Sequence, residues 1–199
     1  QEARALDVVC GDPNFYAPYF QDAELHGLRN AFITLGKMHP TKGNLEMAAM
    51  CARLGLGLDI VGVLGEDPQY NEAVLAQCHD RIDYLGELPY RSVLELAARA
   101  RALLYPSTES EAHSHKTVDC LGVGTPAILW NRSAYPEVVG HGVDGYLASD
   151  AAEFKAYMRQ VDKLDRAEIA RRARDRWGAQ AVGDRLAPAL VDASRGARW

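Results

Sequence analysis

The stretch AFITLGKMHPTKGNLEMAAMCARLGLGLDIVGV, residues 31–63, decides the type of fold. It opens with an apolar run rich in strand-forming residues, AFITL, which ends at Gly36. Four apolar residues then follow the spacing i, i+3, i+4 and i+7, which is one face of an α-helix. They are Leu45, Ala48, Ala49 and Ala52. A second apolar run, LDIVGV, follows at residues 58–63, so the stretch predicts a βαβ unit with two parallel strands.

The same alternation continues along the chain. Further strands are predicted at IDYLG (82–86), ALLYP (102–106), PAILW (126–130) and GYLA (145–148). Helical faces between and after them are marked by Tyr70, Ala73 and Val74, by Val93, Leu96, Ala97 and Ala100, and by Phe154, Tyr157, Met158 and Val161. About six parallel strands with helices on both faces predict an α/β, Rossmann-like, doubly wound sheet. Ligands of such sheets bind beyond the carboxyl ends of the strands, so the candidate binding segments are the strand-to-helix loops at 36–43, 62–69, 86–90 and 107–115.

The composition is that of an ordinary globular protein. The chain has 199 residues, 48% of them hydrophobic and 25% charged, which is enough for one well-buried domain. A net charge of −5 without a block of Lys and Arg argues against a nucleic-acid partner. No apolar run reaches the ~18–20 residues of a membrane span. The four cysteines are far apart and form no CxxC, which is typical of reduced core cysteines and predicts a cytoplasmic location.

The loop GKMHPTKG (36–43) is a candidate phosphate site. Its two glycines allow close approach of the backbone, Lys37 and Lys42 add positive charge, and the following helix start offers free N–H groups. It is not a Walker A loop, because Thr41 stands in place of the second glycine and Gly43 in place of Ser or Thr. Spacing alone does not decide between a phosphate site and a plain turn with two solvated lysines.

Two other motifs have simpler interpretations. The sequence GVGTPA (122–127) matches G-x-G-x-x-A, but it follows a predicted helix and opens a strand, the reverse of a dinucleotide-binding fingerprint. We therefore reject a nicotinamide cofactor. The basic run RRARDRW (171–177) is predicted to be a solvated helix face.

The segment STESEAHSHKTVDC (107–120) is unusually polar and allows three interpretations. His113 and His115 form a His-x-His pair that could bind zinc, although no spacing fixes a third ligand. A nucleophilic site is less well supported, because there is no G-x-S-x-G turn and Cys120 falls at a mid-helix position. In the third interpretation, a helix over residues 113–122 presents its N-terminus to an anion, and Glu111 and Asp119 lie ~2.2 turns apart on one cleft. Their carboxylates would accept hydrogen bonds from sugar hydroxyls.

The ordered set of motifs resembles the C-terminal, donor-binding domain of GT-B-fold glycosyltransferases of the large retaining family 4 (glycosyl transferases group 1). The segment ITLGKMHPTKG (33–43) resembles the family's "vGRl...KG", and DYLGEL (83–88) its "flG.v" strand. The block PSTESEAHSHKTVDCLGVGTPAIL (106–129) resembles "PS..EgfG....EAma.GtPVv". Residues 133–148 resemble "g..PEvv.dGv.GyLv", and VVCGDPNFYAP (8–18) resembles the interdomain stretch "vipnGvD...F.P". The resemblance covers about residues 7–195.

The resemblance implies transfer of a sugar from a nucleotide-diphosphate donor with retention of configuration. Lys37 and Lys42 would stabilise the leaving diphosphate without a metal, Glu111 would lie beside the donor sugar, and Asp119 would hold the ribose. The implied catalytic residues are Glu111, Lys42 and Lys37. The implied donor-binding residues are Gly36, Lys37, Lys42, Leu88 (at the base), Glu111, His113, Ser114, His115 and Asp119.

This chain departs from the family pattern at several of these positions. Lys37 replaces an arginine and loses its bidentate fork. Asp119 replaces a glutamate and is one methylene shorter. Residues 112–114 are Ala-His-Ser instead of Gly-Phe-Gly, so glycine-only backbone angles are not expected there. One extra residue also separates the Pro-Ser pair from Glu111. We therefore expect this segment to give the protein a donor preference different from that of other family members.

The resemblance also predicts a domain organisation. Residues 1–30 would be the interdomain segment, 31–175 the Rossmann-like nucleotide-sugar-binding domain, and 176–199 a C-terminal helix that crosses back to an N-terminal domain. That domain would supply a catalytic histidine and the binding site for an acceptor saccharide or lipid. We therefore expect this chain to be part of a longer protein and to transfer little sugar alone. Peripheral membrane association of the full-length enzyme is compatible with such acceptors.

Three other hypotheses remain open from the sequence. The chain could be a non-catalytic nucleotide-sugar-binding half that acts with a partner chain. It could be a nucleotide-sugar epimerase of the same fold, or a metal-dependent hydrolase that uses His113 and His115.

Overall fold

The computed structural model describes residues 16–19, 21 and 28–195. Most of the predicted interdomain segment, residues 1–30, lies outside the described residues, as does most of the motif at 8–18, including Cys10. Cys51, Cys78 and Cys120 are free.

Six strands form one parallel sheet in the order β3-β2-β1-β4-β5-β6. The strands β1 to β6 are Ala31–Leu35, Gly57–Val61, Ile82–Gly86, Leu103–Tyr105, Ala127–Trp130 and Gly145–Ala148. The chain runs from β1 outward to β3 and then returns to add β4 on the other side of β1. The predicted doubly wound sheet is therefore confirmed.

The helices α1 to α8 are Asn44–Leu54, Pro68–Leu75, Tyr90–Arg99, His115–Gly122, Tyr135–Val138, Ala151–Met158, Arg166–Trp177 and Ala179–Ser194. Several begin at an aspartate whose side chain accepts hydrogen bonds from two backbone N–H groups of the first turn; these are Asp67, Asp150 and Asp165. The prediction that α4 begins at residue 113 was wrong. Ser114 is extended and forms the N-cap, a position that serine favours, so His113 precedes the helix.

The sheet is covered on both faces because alternate residues of each strand point to opposite sides. On one face, Ile33, Leu103 and Leu129 pack with apolar residues of α3, α4 and α7. On the other, Phe32, Leu104 and Ile128 pack with residues of α1, α2 and α6. The central strands β1 and β4 are buried at every residue, which explains why they appear in the sequence as continuous apolar runs.

Arg166 anchors the start of α7 to the end of α3 and to the loop before β5. Its buried guanidinium donates hydrogen bonds to the carbonyl oxygens of Ala98 (2.6 Å) and Ala100 (3.0 Å) and to Oγ1 of Thr125 (2.8 Å). Further along α7, Arg171 is exposed and paired with acidic side chains of its own helix, as expected of a solvated face. The predicted domain limit at residue 175 falls inside α7, and the division between sheet domain and C-terminal helix stays a prediction.

Gly36 and Gly62 bring the carboxyl ends of β1 and β2 together. A Cβ atom on Gly62 would lie 2.1 Å from the carbonyl oxygen of Gly36, and Gly62 has a φ of +146°. Only glycine tolerates both conditions. Backbone hydrogen bonds continue this contact into the loops, from Met38 N to the carbonyl of Val63 at 2.9 Å. The glycine pair therefore sets the distance between the first two strand-to-helix loops.

Gly62→Ala is expected to lower the free energy of unfolding by at least ~1–3 kcal/mol, through backbone strain and the clash with Gly36. Denaturant unfolding followed by circular dichroism measures the change. Gly183→Ala is the control, since Gly183 is exposed inside α8 with open space around its Cβ position. Alanine should stabilise that helix by ~0.5–1 kcal/mol. Equal effects at the two positions would contradict the role given to Gly62.

Candidate functional site

The site lies at the carboxyl ends of β1 and β4, where the chain direction through the sheet reverses. The loop after β1 and the loop after β4 meet there. The backbone N–H of Thr108 donates to the carbonyl of Thr41 at 2.8 Å. Gly43 allows the close approach, because a Cβ on it would lie 2.6 Å from Cγ of Pro106. Two segments far apart in sequence therefore form one wall.

Lys42 is positioned by a short 3-10 turn, Pro40–Lys42. His39 caps this turn, because its Nδ1 accepts from the backbone N–H of Thr41 at 3.3 Å. Gly43, in the left-handed conformation with a φ of 71°, then redirects the chain into α1. The lysine thus projects from a fixed turn rather than from a free loop, which gives its ammonium group a defined location.

The ammonium group of Lys42 is surrounded by polar atoms. Its Nζ is paired with Glu109, lies 2.9 Å from Oε1 of Glu111, and donates to Oη of Tyr105 at 3.1 Å. Glu109 also accepts from Oγ1 of Thr41 at 2.5 Å. We call Lys42, Tyr105, Glu109 and Glu111 the Lys42 cluster. It joins the β1 loop to the β4 loop through charge-assisted hydrogen bonds.

Tyr105, the last residue of β4, connects this cluster to helix α4. Its hydroxyl lies 2.5 Å from Oε1 of Glu111, a carboxylate that can only accept, so the phenol donates there. Both lone pairs of Oη remain for Lys42 and for Nζ of Lys116, which donates at 3.0 Å. The ammonium of Lys116 also lies 4.5 Å from the centroid of the Tyr105 ring. One phenol therefore bonds two lysines and one glutamate.

The two lysines differ in their electrostatics. Burial acts to lower the pKa of Lys42, but hydrogen bonds to Glu109, Glu111 and Tyr105 outweigh it and raise the pKa above its ordinary value. For Lys116, burial and the nearby charge of Lys42 lower the pKa, and the more distant carboxylates do not compensate. Lys42 is thus a neutralised cation, whereas Lys116 is a cation in an unfavourable environment.

A cavity of about 220 Å³ opens beside the cluster, between the ends of β1 and β2 and the helices α3 and α4. Its polar side is formed by the backbone of Gly36 and Gly62 and by Lys116 and Asp119, and Leu88 is among its apolar residues. We call this space the cleft. It brings together three of the predicted donor-binding residues, Gly36, Leu88 and Asp119. A wider groove on the outer side of α3 shares only Leu88 with the predicted set.

Asp119 is held by a residue from the start of the described chain. The hydroxyl of Tyr16 donates to Oδ1 of Asp119 at 2.6 Å, and the Tyr16 ring packs over Gly122, one turn further along α4. Burial raises the pKa of Asp119, while the hydroxyls of Tyr16 and Tyr90 favour its ionised form and oppose the rise. The carboxylate is thus kept in an apolar surrounding with dedicated donors.

The predicted geometry of Glu111 and Asp119 was wrong. Helix α4 is His115–Gly122, so Glu111 lies on the preceding loop and helical spacing does not relate the two carboxylates. Glu111 belongs to the Lys42 cluster, and Asp119 lines the cleft. They are connected through Tyr105 and Lys116 rather than through adjacent turns of one helix.

Four other predicted residues, Lys37, His113, Ser114 and His115, lie apart from the Lys42 cluster. Lys37 pairs with Glu66 at 2.7 Å, on side chains that are 41% and 92% exposed. The centroid of the His113 ring lies 5.0 Å from that of His115 and 5.1 Å from that of Trp177, which is the last residue of α7. Burial and the neighbouring His115 lower the pKa of His113. The two histidine rings thus contact each other, His113 also contacts the end of α7, and Ser114 is the buried N-cap between them.

Across residues 16–19, 21 and 28–195, no group of three or more His, Cys, Asp or Glu side chains is arranged to hold a metal ion. In the same part of the chain, no helix combines the length and apolar character that a membrane span requires.

Sequence reasoning missed four residues of the site: Tyr16, Tyr105, Glu109 and Lys116. Two of them carried a usable signal. Tyr105 ends a predicted strand at its carboxyl edge, and Lys116 precedes Asp119 by three residues on a helix, which places both on one face. Tyr16 carried none, since its contact with Asp119 spans 103 residues of sequence.

Comparison with known proteins gives a consistent result. The family model described as "Glycosyl transferases group 1" matches residues 16–163. AviGT4, a glycosyltransferase involved in avilamycin A biosynthesis, has 24% identity and a TM-score of 0.74 over 94% of this chain and 57% of its own. HepE of Anabaena, solved with UDP, has 18% identity and a TM-score of 0.74 over 90% of this chain and 55% of its own.

Sucrose-phosphate synthase of Thermosynechococcus elongatus has 17% identity and a TM-score of 0.72, over 89% of this chain and 49% of its own. The chain therefore spans about half the length of these structures. At these identities the similarity shows the fold, which is the predicted α/β, Rossmann-like fold of GT-B glycosyltransferases. The comparison with curated protein sequences finds no significant match.

Tyr16→Phe is expected to raise the pKa of Asp119 further, because the carboxylate loses a donor that favours its ionised form. A carboxyl with a raised pKa in the folded state favours folding while protonated and loses that contribution as the pH rises through the folded pKa. The variant should therefore lose ~1.5–3 kcal/mol of unfolding free energy at neutral pH and less in acid.

Carbon-13 NMR of labelled aspartates measures the pKa of Asp119, and denaturant unfolding at two pH values measures the stability. Tyr157→Phe, on the opposite face of the sheet, is the control. A Tyr16→Phe variant with an unchanged Asp119 pKa, or with the same loss at both pH values, would show that the hydroxyl does not act on the carboxylate.

Proposed function

The chain belongs to the group 1 glycosyl transferases, and from that premise we propose that it is the nucleotide-sugar-binding half of a retaining GT-B glycosyltransferase of family 4. The observation that carries the proposal is the position of the Lys42 cluster. It lies beside the cleft at the switch point of the sheet, where doubly wound folds bind nucleotides.

The cleft and the cluster offer complementary chemistry for the two ends of such a donor. Leu88 and its apolar neighbours suit a nucleoside base, and Asp119 suits a ribose because a carboxylate accepts hydrogen bonds from two adjacent hydroxyls. The lysines beside them suit a diphosphate. The Anabaena neighbour was solved with UDP and also with UDP-glucose, which supports a nucleotide sugar as the ligand here.

For catalysis, we assign Lys42 to the leaving diphosphate. Departure of the sugar leaves additional negative charge on the diphosphate, and a fixed ammonium stabilises that charge without reorganisation of the site. Lys37 is the second candidate for this role. Glu111, held by Lys42 and Tyr105, would lie beside the donor sugar, and the N-terminus of α4 at Ser114 and His115 would donate N–H groups to it. This mechanism needs no metal ion.

The acceptor, a saccharide or a lipid, would be bound by a second domain, with which this half would form the complete enzyme. Alone, it should bind the donor and transfer little sugar. We retain a cytoplasmic location, and peripheral membrane association of the full-length enzyme, as parts of the same proposal.

Calorimetric titration with UDP-, GDP-, ADP- and TDP-sugars tests this function. One of them should bind, and Lys42→Ala and Asp119→Ala should each weaken binding by about 10- to 100-fold, since each removes hydrogen bonds to a charged group. Lys155→Ala, on the exposed side of α6, is the matched control and should bind as the wild type does. Thermal unfolding verifies that each variant is folded.

Two results would refute the proposal: no binding of any nucleotide sugar, or binding that folded Lys42→Ala and Asp119→Ala variants leave unchanged.

A further inference from the structure

Lys116 is the lysine of the site that lacks a counterion. Of the described carboxylates, none lies within ion-pair distance of its Nζ. Its Nζ donates a hydrogen bond to Oη of Tyr105 at 3.0 Å. A buried ammonium without an opposite charge is unfavourable, and burial indeed lowers the pKa of Lys116. This side chain would therefore gain more from an anionic ligand than an already paired lysine.

The other two lysines of the site are already neutralised. Lys42 is paired with Glu109 and Glu111, and Lys37 is paired with Glu66 at the exposed edge of the site. An anion that binds Lys42 or Lys37 must first compete with the carboxylate that the lysine already holds. An anion that approached Lys116 would displace none.

The ammonium of Lys116 lies where a ligand in the cleft could reach it. It lines the cleft together with Asp119, and it lies 3.1 Å from the position of a Cβ atom on Gly36. It is thus directly over the backbone at the carboxyl end of β1. Because Gly36 has no side chain, a ligand can approach this backbone and the ammonium together.

Lys116 and Lys42 can act on one ligand. Both donate to the same oxygen, Oη of Tyr105, so the two ammonium groups are close together. A diphosphate has several charged oxygens and can contact two cations held this close together. Tyr105 fixes their separation, because its hydroxyl is itself oriented by Glu111.

We propose that Lys116 is a diphosphate-binding residue of the cleft and, with Lys42, takes the role of second cation that the family resemblance assigns to Lys37. This inference rests on the proposed function, whose ligand contains a diphosphate. Under this assignment, Lys116 contributes more than Lys37 to the affinity for a diphosphate.

Titration calorimetry with UDP and, separately, with inorganic pyrophosphate tests the assignment. Lys116→Met keeps the aliphatic stem and removes the charge, and it should weaken both ligands by about 10- to 100-fold. Lys155→Met, on the exposed side of α6, is the matched control and should leave both affinities unchanged. Lys37→Met should weaken both ligands less than Lys116→Met does, because Lys37 is exposed and already paired with Glu66. Lys116→Arg should retain most of the affinity. If Lys116→Met does not fold, Lys116→Gln replaces it, and the same ~10- to 100-fold loss of affinity is expected.

The two ligands separate the inference from the proposed function. If UDP binds and folded Lys116→Met binds it as the wild type does, the role of Lys116 is refuted and the function stands. If pyrophosphate binds in a Lys116-dependent manner but UDP and the other nucleotides do not bind, the anion site stands and the function is refuted. If neither pyrophosphate nor any of the four nucleotide sugars binds to the wild type, both are refuted.

Discussion

The hydroxyl of Tyr105 is the point at which the parts of the site are joined. A phenol has one proton to donate and two lone pairs to accept with, and here Glu111, Lys42 and Lys116 use all three. These partners come from the β4 loop, the β1 loop and helix α4. A change in any of the three segments must therefore alter the hydrogen bonds of the other two. The tyrosine is fully buried at the end of a central strand, so the junction itself is fixed by the core.

The fold explains why these segments meet. Parallel strands bring all their carboxyl ends to one edge, and reversal of the strand order at β1 and β4 leaves a crevice between the loops that follow them. Glycines then remove the side chains that would separate the loops. Gly62 lets the β2 loop approach Gly36, and Gly43 lets the β1 loop approach Pro106. The charged residues are thus carried by closely packed backbone, which is what a binding site needs in order to be pre-organised.

The fold was predictable from the sequence because its signals are local. Apolar runs and helical spacing gave six strands in the correct order along the chain, and position at strand ends pointed to Lys42 and Glu111. The start of α4 was placed too early, since His113 and Ser114 have no apolar periodicity and only the cap geometry distinguishes them. Tyr16 was missed because its contact with Asp119 joins segments 103 residues apart, which no local pattern records. Tyr105, at a strand end, and Lys116, three residues before Asp119, carried local signals that went unused. The roles given to the site residues remain predictions.

The hydrogen bond between Tyr16 and Asp119 has a thermodynamic consequence. A ribose in the cleft and the hydroxyl of Tyr16 would both donate hydrogen bonds to the carboxylate of Asp119. The free energy of each interaction would therefore depend on whether the other is formed. Whatever shifts residues 16–19 would change affinity in the cleft, and occupation of the cleft would shift residues 16–19 by the same coupling free energy. Residue 16 lies 103 positions before Asp119, at the beginning of the described chain. If a ribose binds at Asp119 as proposed, the bond would couple the position of residues 16–19 to occupation of the cleft.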